Sequence, residues 1–555
     1  MQRLWLKSYP PGVPAEVDVD AFHSIVDIFE QSVTRYAERP AYVQMGESIS
    51  FAKIDQLSRA FATYLKERLG LERGARVALM MPNILQYPVA LFGALRAGCT
   101  VVNCSPLYTA YELERQLLDS GAETIVLLEN FAAVLQQTLP QTKIRHVIVT
   151  RLGDLLSFAK RMFVNFVVKH VKRLAPPWRI PGAIAFNDTI AIGSELPWRG
   201  QVLRPEDIAL LQYTGGTTGT PKGAILTHRN IVANLVQHQA FLSPALQEGA
   251  DVALTAIPFF HIYALTVSCF LPFMIGATNV LIADPRDLRG LVREFSKHRI
   301  TCFAGVNRLF AALVDDPAFA RLDFSKLSIA ASGGSPLVEH VATKWKAITG
   351  KTLIEAYGLT ETSPVVTCNP VDLQAFNASC GIPLPSTDIS IRGEDDAELP
   401  VGEAGELLVR GPQVMKEYWN QPDETAKAMT SDGFFRTGDI ATIDARGFVR
   451  IVDRKKDMIN VAGLKVYPNE VEEVIAMHPG VADVCAFGVP DEKSGERVKV
   501  VVVRRDPTLE SAELEGFCRK YLAAYKVPRH VEFKNELPKT PLGKTLRRVL
   551  RSKSA

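Results

Sequence analysis

Short runs of apolar, β-branched residues alternate along this chain with stretches whose apolar positions follow a helical period. Arg76-Val-Ala-Leu-Met-Met81 predicts a strand, Gln86–Gly98 a helix and Thr100-Val-Val102 another short strand. Thr124-Ile-Val-Leu-Leu128 and His146-Val-Ile-Val-Thr150 repeat the strand signal. Such alternation marks mostly parallel sheets covered by helices.

The pattern changes near Gly381. From there to Gly447, short strand signals such as Glu406-Leu-Leu-Val-Arg410 stand between Gly/Pro turns. After Asp453-Arg-Lys-Lys-Asp457 the pattern becomes α+β. Val471–Met477 predicts a helix, Val481–Val489 an extended segment and Val498–Val503 a β-rich run. The expected fold class is therefore α/β. A large N-terminal domain of α/β subdomains covers residues 1–452 and includes a small β-rich subdomain at about 381–452. A small α+β C-terminal domain covers 453–555.

Length and composition fit this division. A chain of 555 residues exceeds one ordinary core, and 47% hydrophobic with 22% charged residues is a globular composition. A net charge of +3 gives no sign of a nucleic-acid partner. Residues 454–555 hold 20 Lys/Arg against 14 Asp/Glu, a net +6, which leaves −3 on residues 1–453. A basic C-terminal part suits a phosphate-rich ligand, or is an ordinary solvated surface. The eight cysteines are scattered, with no Cys-x-x-Cys pair, against a zinc site or disulfide framework and in keeping with a reducing compartment. No signal-peptide pattern opens the chain, and its last residues match no retention or peroxisomal signal. The expected location is cytoplasmic.

Two segments raise the question of a membrane. Val252–Ala283 has no Asp, Glu, Lys or Arg, but Pro258, His261, Pro272 and Gly276 interrupt it. The reading is strand, loop, helix, strand through a buried core. Phe158–Ala175 carries five Lys/Arg and no acid. On a helical wheel Phe163, Phe166, Val167, Val171 and Leu174 oppose Arg161, Lys169, Lys172 and Arg173. Such a helix either lies on an anionic membrane, here at its inner face, or packs its apolar side on its own domain.

The strongest chemical signal is Tyr213-Thr-Gly-Gly-Thr-Thr-Gly-Thr-Pro-Lys-Gly223, after an apolar run and before a helical stretch. Its glycines free the backbone to bend, so that N–H groups can hold phosphate oxygens, and Lys222 adds a compact positive charge. It is not a Walker A loop, because Lys222 follows Pro221 and precedes Gly223.

With this loop the chain resembles the adenylate-forming enzymes, which include acyl-CoA synthetases, luciferases and peptide-synthetase adenylation domains. The resemblance continues in order through Pro258-Phe-Phe-His261, Ser332-Gly-Gly-Ser-Pro336, Tyr357-Gly-Leu-Thr-Glu-Thr362, Thr437-Gly-Asp439, Asp453-Arg454 and Pro538-Lys-Thr-Pro-Leu-Gly-Lys544. Gly447–Ile459 and Tyr525-Lys-Val-Pro528 are similar to the bacterial long-chain fatty acid–CoA ligases. That branch implies fatty acid plus ATP giving acyl-AMP and diphosphate, then acyl-AMP plus CoA giving acyl-CoA and AMP.

The resemblance assigns roles to residues. Thr214, Gly215, Gly216, Thr217, Thr218, Gly219 and Lys222 form the phosphate loop. Thr214, Thr217 and Thr218 meet the β- and γ-phosphates, and Lys222 manages the leaving diphosphate. Gly333, Gly334, Tyr357, Gly358 and Ile451 lie on the nucleotide. Asp439 accepts the ribose hydroxyls, and Arg454 reaches the same nucleotide. Glu361, with Thr214, is expected to ligate Mg²⁺, which prefers a few oxygen ligands plus phosphate. Thr360 and Lys544 stabilise the α-phosphate. His261 orients the carboxylate or gates its entrance. Some relatives carry a gating Trp three residues further on; here that position is Ala264, which leaves Tyr263 as a nearby aromatic. Asp453 is the hinge about which the C-terminal domain is expected to be mobile, bringing Gly463 and Lys465 to the CoA side.

The chemistry agrees with these roles. A carboxylate must attack a phosphate, so positive charge has to offset the repulsion of two anions. Alternative readings are a ligase for medium-chain or aromatic acids, an acyl-AMP ligase that loads a carrier protein, and a non-enzymatic acyl-CoA or nucleotide sensor. Self-association is left open.

Overall fold

The structure, a computed structural model, describes residues 3–214, 222–461, 464–491, 494–540 and 545–552. By their contacts they form two compact units. One holds residues 9–387 and 410–429; the other holds residues 1–8, 388–409 and 430–555.

The larger unit is built on two sheets. In one, the strands follow the order Ile184–Ala185, His146–Thr150, Thr124–Leu128, Arg76–Met80, Thr100–Asn103, Ile208–Thr214, Lys222–Thr227. All neighbours are parallel except the last pair. The second sheet has a parallel centre, Ile354–Gly358, Ile329–Ser332, Cys302–Gly305, Val252–Thr255, Thr278–Leu281 and Pro40–Gln44. Antiparallel strands flank it on both edges. The apolar runs become buried strands because helices cover both faces of such sheets.

Val252–Ala283 crosses this core as strand, loop, helical segment and strand. No described helix is long and apolar enough to cross a membrane. The helix expected over 86–98 ends at Arg96, where Gly98 turns the chain at φ +78°.

Helix His228–Leu242 is buried along most of its length. A capping box between Thr227 and Asn230 starts it. Two of its asparagines hold neighbours: Asn230 donates to the carbonyls of Pro412 and Val414, and Asn234 donates to Val365 O and accepts from Val365 N. These bonds fix the 410–429 segment and the strand Val365–Cys368 to one rod.

The smaller unit holds two sheets. The strands Asp388–Arg392, Gly405–Arg410, Phe435–Ile443 and Val449–Arg454 form the β-rich part. Leu464–Val466, Ile459–Val461, Gly495–Arg504 and Val481–Asp491 follow in a second sheet, where His530–Lys534 also pairs with Gly495–Arg504. Helices Pro468–Ala476 and Ser511–Cys518 accompany it. Contacts group the β-rich sheet with the residues that follow it, and its first strand starts at Asp388 rather than near 381.

Candidate active site

The phosphate loop leaves strand Ile208–Thr214 and returns into Lys222–Thr227, with Thr214 directly opposite Lys222. Gly215, Gly216, Thr217, Thr218 and Gly219 lie outside the described residues. The segment after Arg410 runs beside the returning strand. Trp419 N donates to Gly223 O at 2.7 Å, Ile225 N donates to Glu417 O at 2.9 Å, and Tyr418 bridges Ala224.

That pairing puts Tyr418 between two of the expected site residues. The Lys222 ammonium lies 5.1 Å from the centre of its ring, within cation–π range. Its hydroxyl donates to Glu361 Oε1 at 2.8 Å. Burial and the Glu361 charge push the Tyr418 phenol well above its ordinary range, so it stays a donor. Lys222 also pairs with the Glu424 carboxylate, whose pKa that bond draws down to about 2.

Glu361 is buried in the short turn Thr360–Thr362, beyond strand Ile354–Gly358. Its carbonyl accepts from Met415 N at 2.7 Å, and Leu359 N donates to Thr362 Oγ1 at 3.0 Å. At Gly358 a Cβ would lie 1.9 Å from Pro364 O, so only glycine fits between Tyr357 and the turn. Among the described residues no group of three or more His, Cys, Asp or Glu side chains could hold a metal ion. A single buried carboxylate, with the Thr214 hydroxyl, fits an ion that arrives with its phosphates and waters rather than one held in a protein cage.

Beside this cluster, His261 begins a helical segment, and its Nδ1 accepts from Tyr263 N at 3.2 Å. Burial pushes its pKa down to about 4, so the ring is neutral near pH 7, and with Nδ1 accepting, Nε2 carries the proton. Tyr263 packs against the next turn: a Cβ on Gly333 would lie 3.0 Å from its ring, and Gly334 turns at φ +75°.

Tyr263 also lines an apolar cavity of about 60 Å³ between helix His228–Leu242, the helical segment at 262–274 and the second sheet. Ala253, Ala304, Ala331 and Ala356 are among its lining residues. Small side chains on these neighbouring strands of one sheet leave a volume that larger ones would fill.

The other expected residues lie in the smaller unit. Asp439 and Arg454 are register partners, with Arg454 Nε 3.2 Å from Asp439 Oδ1. Asp439 is buried, and its N–H donates to Thr437 Oγ1 at 3.1 Å. Ile451 faces Ala441 across the same pair of strands. Lys465, on a different sheet, donates to Glu394 at 2.7 Å. Gly463 and Lys544 lie outside the described residues.

Asp453 is fully buried and belongs to a hub. Its carboxylate accepts from Arg454 N and Asn469 N, each at 2.7 Å, and from Arg547 Nη1 at 3.3 Å. Arg547 also donates to Glu472 at 2.9 Å and to Asn469 at 2.5 Å. Just before it, Leu546 N donates to Pro538 O at 2.8 Å and Lys539 bridges Thr545, closing the base of the lysine loop.

Sequence reasoning did not single out Tyr418, Glu424 or Arg547. Tyr418 and Glu424 fall in a segment without a motif, and Arg547 reads as one of many C-terminal cations.

Two α/β sheets, one ending in the paired strands Ile208–Thr214 and Lys222–Thr227 and the other lining an apolar cavity, define the CoA-ligase fold. The solved structure of an anthranilate CoA ligase, AuaEII, in complex with anthranoyl-AMP matches with TM-score 0.84, covering 97% of this chain and 99% of that one at 24% identity. The family profile described as AMP-binding enzyme matches residues 29–419, and that of the AMP-binding enzyme C-terminal domain matches 470–544. The chain belongs to the AMP-binding enzymes, the adenylate-forming family that its motifs resemble. Proteins named long-chain-fatty-acid–CoA ligase are similar to it over the full length. One from Escherichia coli O6:H1 is 52% identical, covering 100% of this chain and 99% of its own. Another from Yersinia pestis is 53% identical, covering 99% and 98%.

Proposed function

We propose that this protein is an ATP-dependent long-chain fatty acid–CoA ligase that makes acyl-AMP and diphosphate, then acyl-CoA and AMP. Beside the full-length similarity, the observation that carries the choice of acid is the alanine-lined apolar cavity next to the nucleotide cluster. A cavity so poor in polar groups suits an alkyl chain.

In the first step the fatty carboxylate attacks the α-phosphorus of ATP and diphosphate leaves. Glu361 and Thr214 would supply oxygens to a Mg²⁺ that accompanies ATP, and such an ion would offset phosphate charge. Tyr418 orients Glu361. Lys222 exchanges Glu424 for a phosphate oxygen and follows the diphosphate. His261, neutral with its proton on Nε2, donates to a carboxylate oxygen without adding charge. Asp439 and Arg454 hold the nucleotide, and Thr360 and Lys544 steady the α-phosphate. Rotation about Asp453 then withdraws Lys544 and brings Gly463 and Lys465 to the CoA side, where the thiol attacks the acyl carbonyl. A panel of acids tests the substrate class. If the whole chain is buried, kcat/KM rises with length, by up to roughly fourfold per methylene at about 0.8 kcal/mol each. Octanoate or benzoate outrunning palmitate would contradict it.

A second reading concerns where the enzyme meets its substrate. Helix Phe158–Phe166 has no buried residue, and the following turn Val167–Val171 buries only Val168. Phe158, Met162, Phe163 and Phe166 are each more than half exposed. Asn165, by contrast, ties the helix to its own domain, accepting from Gly153 N at 2.8 Å. The apolar side thus faces outward beside Lys169, Lys172 and Arg173, which suits peripheral binding to the anionic inner face of a membrane from the cytoplasm. Salt-sensitive co-sedimentation with anionic vesicles, lost in Phe163→Ser/Phe166→Ser, is the expected result; equal sedimentation of both proteins contradicts it.

A further inference from the structure

Among the described polar side chains that line the apolar cavity, one that the reaction leaves unused has a buried nitrogen without a partner. Of its polar walls, Asp251 accepts from Thr301 Oγ1 and Gln247 N, each at 2.7 Å. The Cys368 thiol donates to Asn369 O at 3.4 Å, and Cys302 Sγ lies 3.6 Å from Thr301 Oγ1. His238 differs. It is 3% exposed, lines the cavity, and its Nδ1 has no hydrogen-bond partner. Burial pushes its pKa down to about 4, so near pH 7 the ring is neutral, with one N–H and one bare nitrogen.

A buried polar atom without a partner destabilises the fold, and such atoms are rare in folded proteins. Leucine or valine would fill the same wall without that cost. The helix fixes where His238 sits. One turn earlier, Asn234 clamps Val365, near the Glu361 turn. One turn later, about 6 Å along the axis, Leu242 continues the wall, and Leu246 and Asp251 lie further along the chain. His238 therefore stands part-way along the pocket, away from the end where the carboxylate reacts.

We propose that His238 makes this acyl pocket a site for fatty acids that carry a hydroxyl group part-way along the chain, the hydroxyl hydrogen-bonding the imidazole. A hydroxyl fits either tautomer, because it both donates and accepts. The proposal rests on the cavity being the acyl pocket, and it adds a substrate class to that reading.

The test is a positional scan of hydroxystearates against stearate, with the full-length enzyme, ATP, Mg²⁺ and CoA. In the wild type, kcat/KM relative to stearate passes through a maximum at an interior position. His238→Leu lowers that ratio about tenfold there, the worth of one hydrogen bond left unmade, and His238→Gln restores part of it. A ratio that stays flat or drifts smoothly along the chain in the wild type overturns the proposal, without needing either variant to fold. So does the same maximum in His238→Leu. If the wild type turns over neither stearate nor any hydroxystearate, the acyl-pocket reading falls as well; if it turns over stearate but shows no interior maximum, only the hydroxyl subsite does.

Discussion

Tyr418 donates its hydroxyl hydrogen to Glu361 Oε1 at 2.8 Å, across a sequence separation of 57 residues. The same ring faces the Lys222 ammonium at 5.1 Å. One side chain thus holds both the carboxylate proposed to meet the metal–nucleotide and the cation proposed to meet its phosphates.

Tyr418→Phe keeps the ring and removes the donor. Hydrogen bonds to charged groups are worth about 1.5–3 kcal/mol. The variant is expected to need more Mg²⁺ for half-maximal rate and to lose at least about tenfold in kcat/KM for Mg-ATP. Tyr418→Leu, which removes the ring face too, loses more. Initial rates over a Mg²⁺ titration check this; a Phe variant with unchanged Mg²⁺ dependence contradicts it.

Arg547 ties Asp453, the proposed hinge residue, to Glu472, and it follows directly on Leu546, whose N–H donates to Pro538 O at the base of the lysine loop. Arg547→Ala leaves two buried carboxylates without their cation, at a cost of about 3–5 kcal/mol. Adding Glu472→Gln to it recovers part of that loss, which guanidinium midpoints would show. Because the loop base is loosened, fatty-acid-dependent diphosphate release falls more than thioester formation from supplied acyl-AMP. Equal losses in the two half-reactions contradict the positioning role.

Glu355 precedes Ala356 of the cavity wall and accepts from Leu337 N at 3.2 Å. Burial raises its carboxyl from 4.5 to about 8. Between those values the folded protein keeps a proton that the unfolded chain has released. Its contribution to stability is therefore favourable at low pH and declines as pH rises through this window. Melting temperature is expected to fall less steeply from about pH 5 to about pH 8 in Glu355→Gln than in the wild type. Parallel curves would show that Glu355 does not titrate in that range.

Much of the fold was legible because its signals are local. Runs such as Thr124–Leu128 and His146–Thr150 carry their own strand pattern, and the glycine-threonine loop stands between two strands that pair with each other. Tyr418 was not legible, since its meaning comes from register: Ala224 opposite Tyr418 puts the ring beside Lys222. The Lys222–Glu424 pair joins residues 202 positions apart. The apolar side of Phe158–Phe166 could be read from a helical wheel. That it faces outward could not, because this depends on Asn165 and Val168 being the side chains that hold the domain.

The most direct test of carboxylate attack on the α-phosphorus follows oxygen. With palmitate labelled by ¹⁸O in both carboxyl oxygens, one ¹⁸O should appear in the AMP released during acyl-CoA synthesis, and none in the diphosphate. AMP without label, or ADP and phosphate in place of AMP and diphosphate, would contradict it.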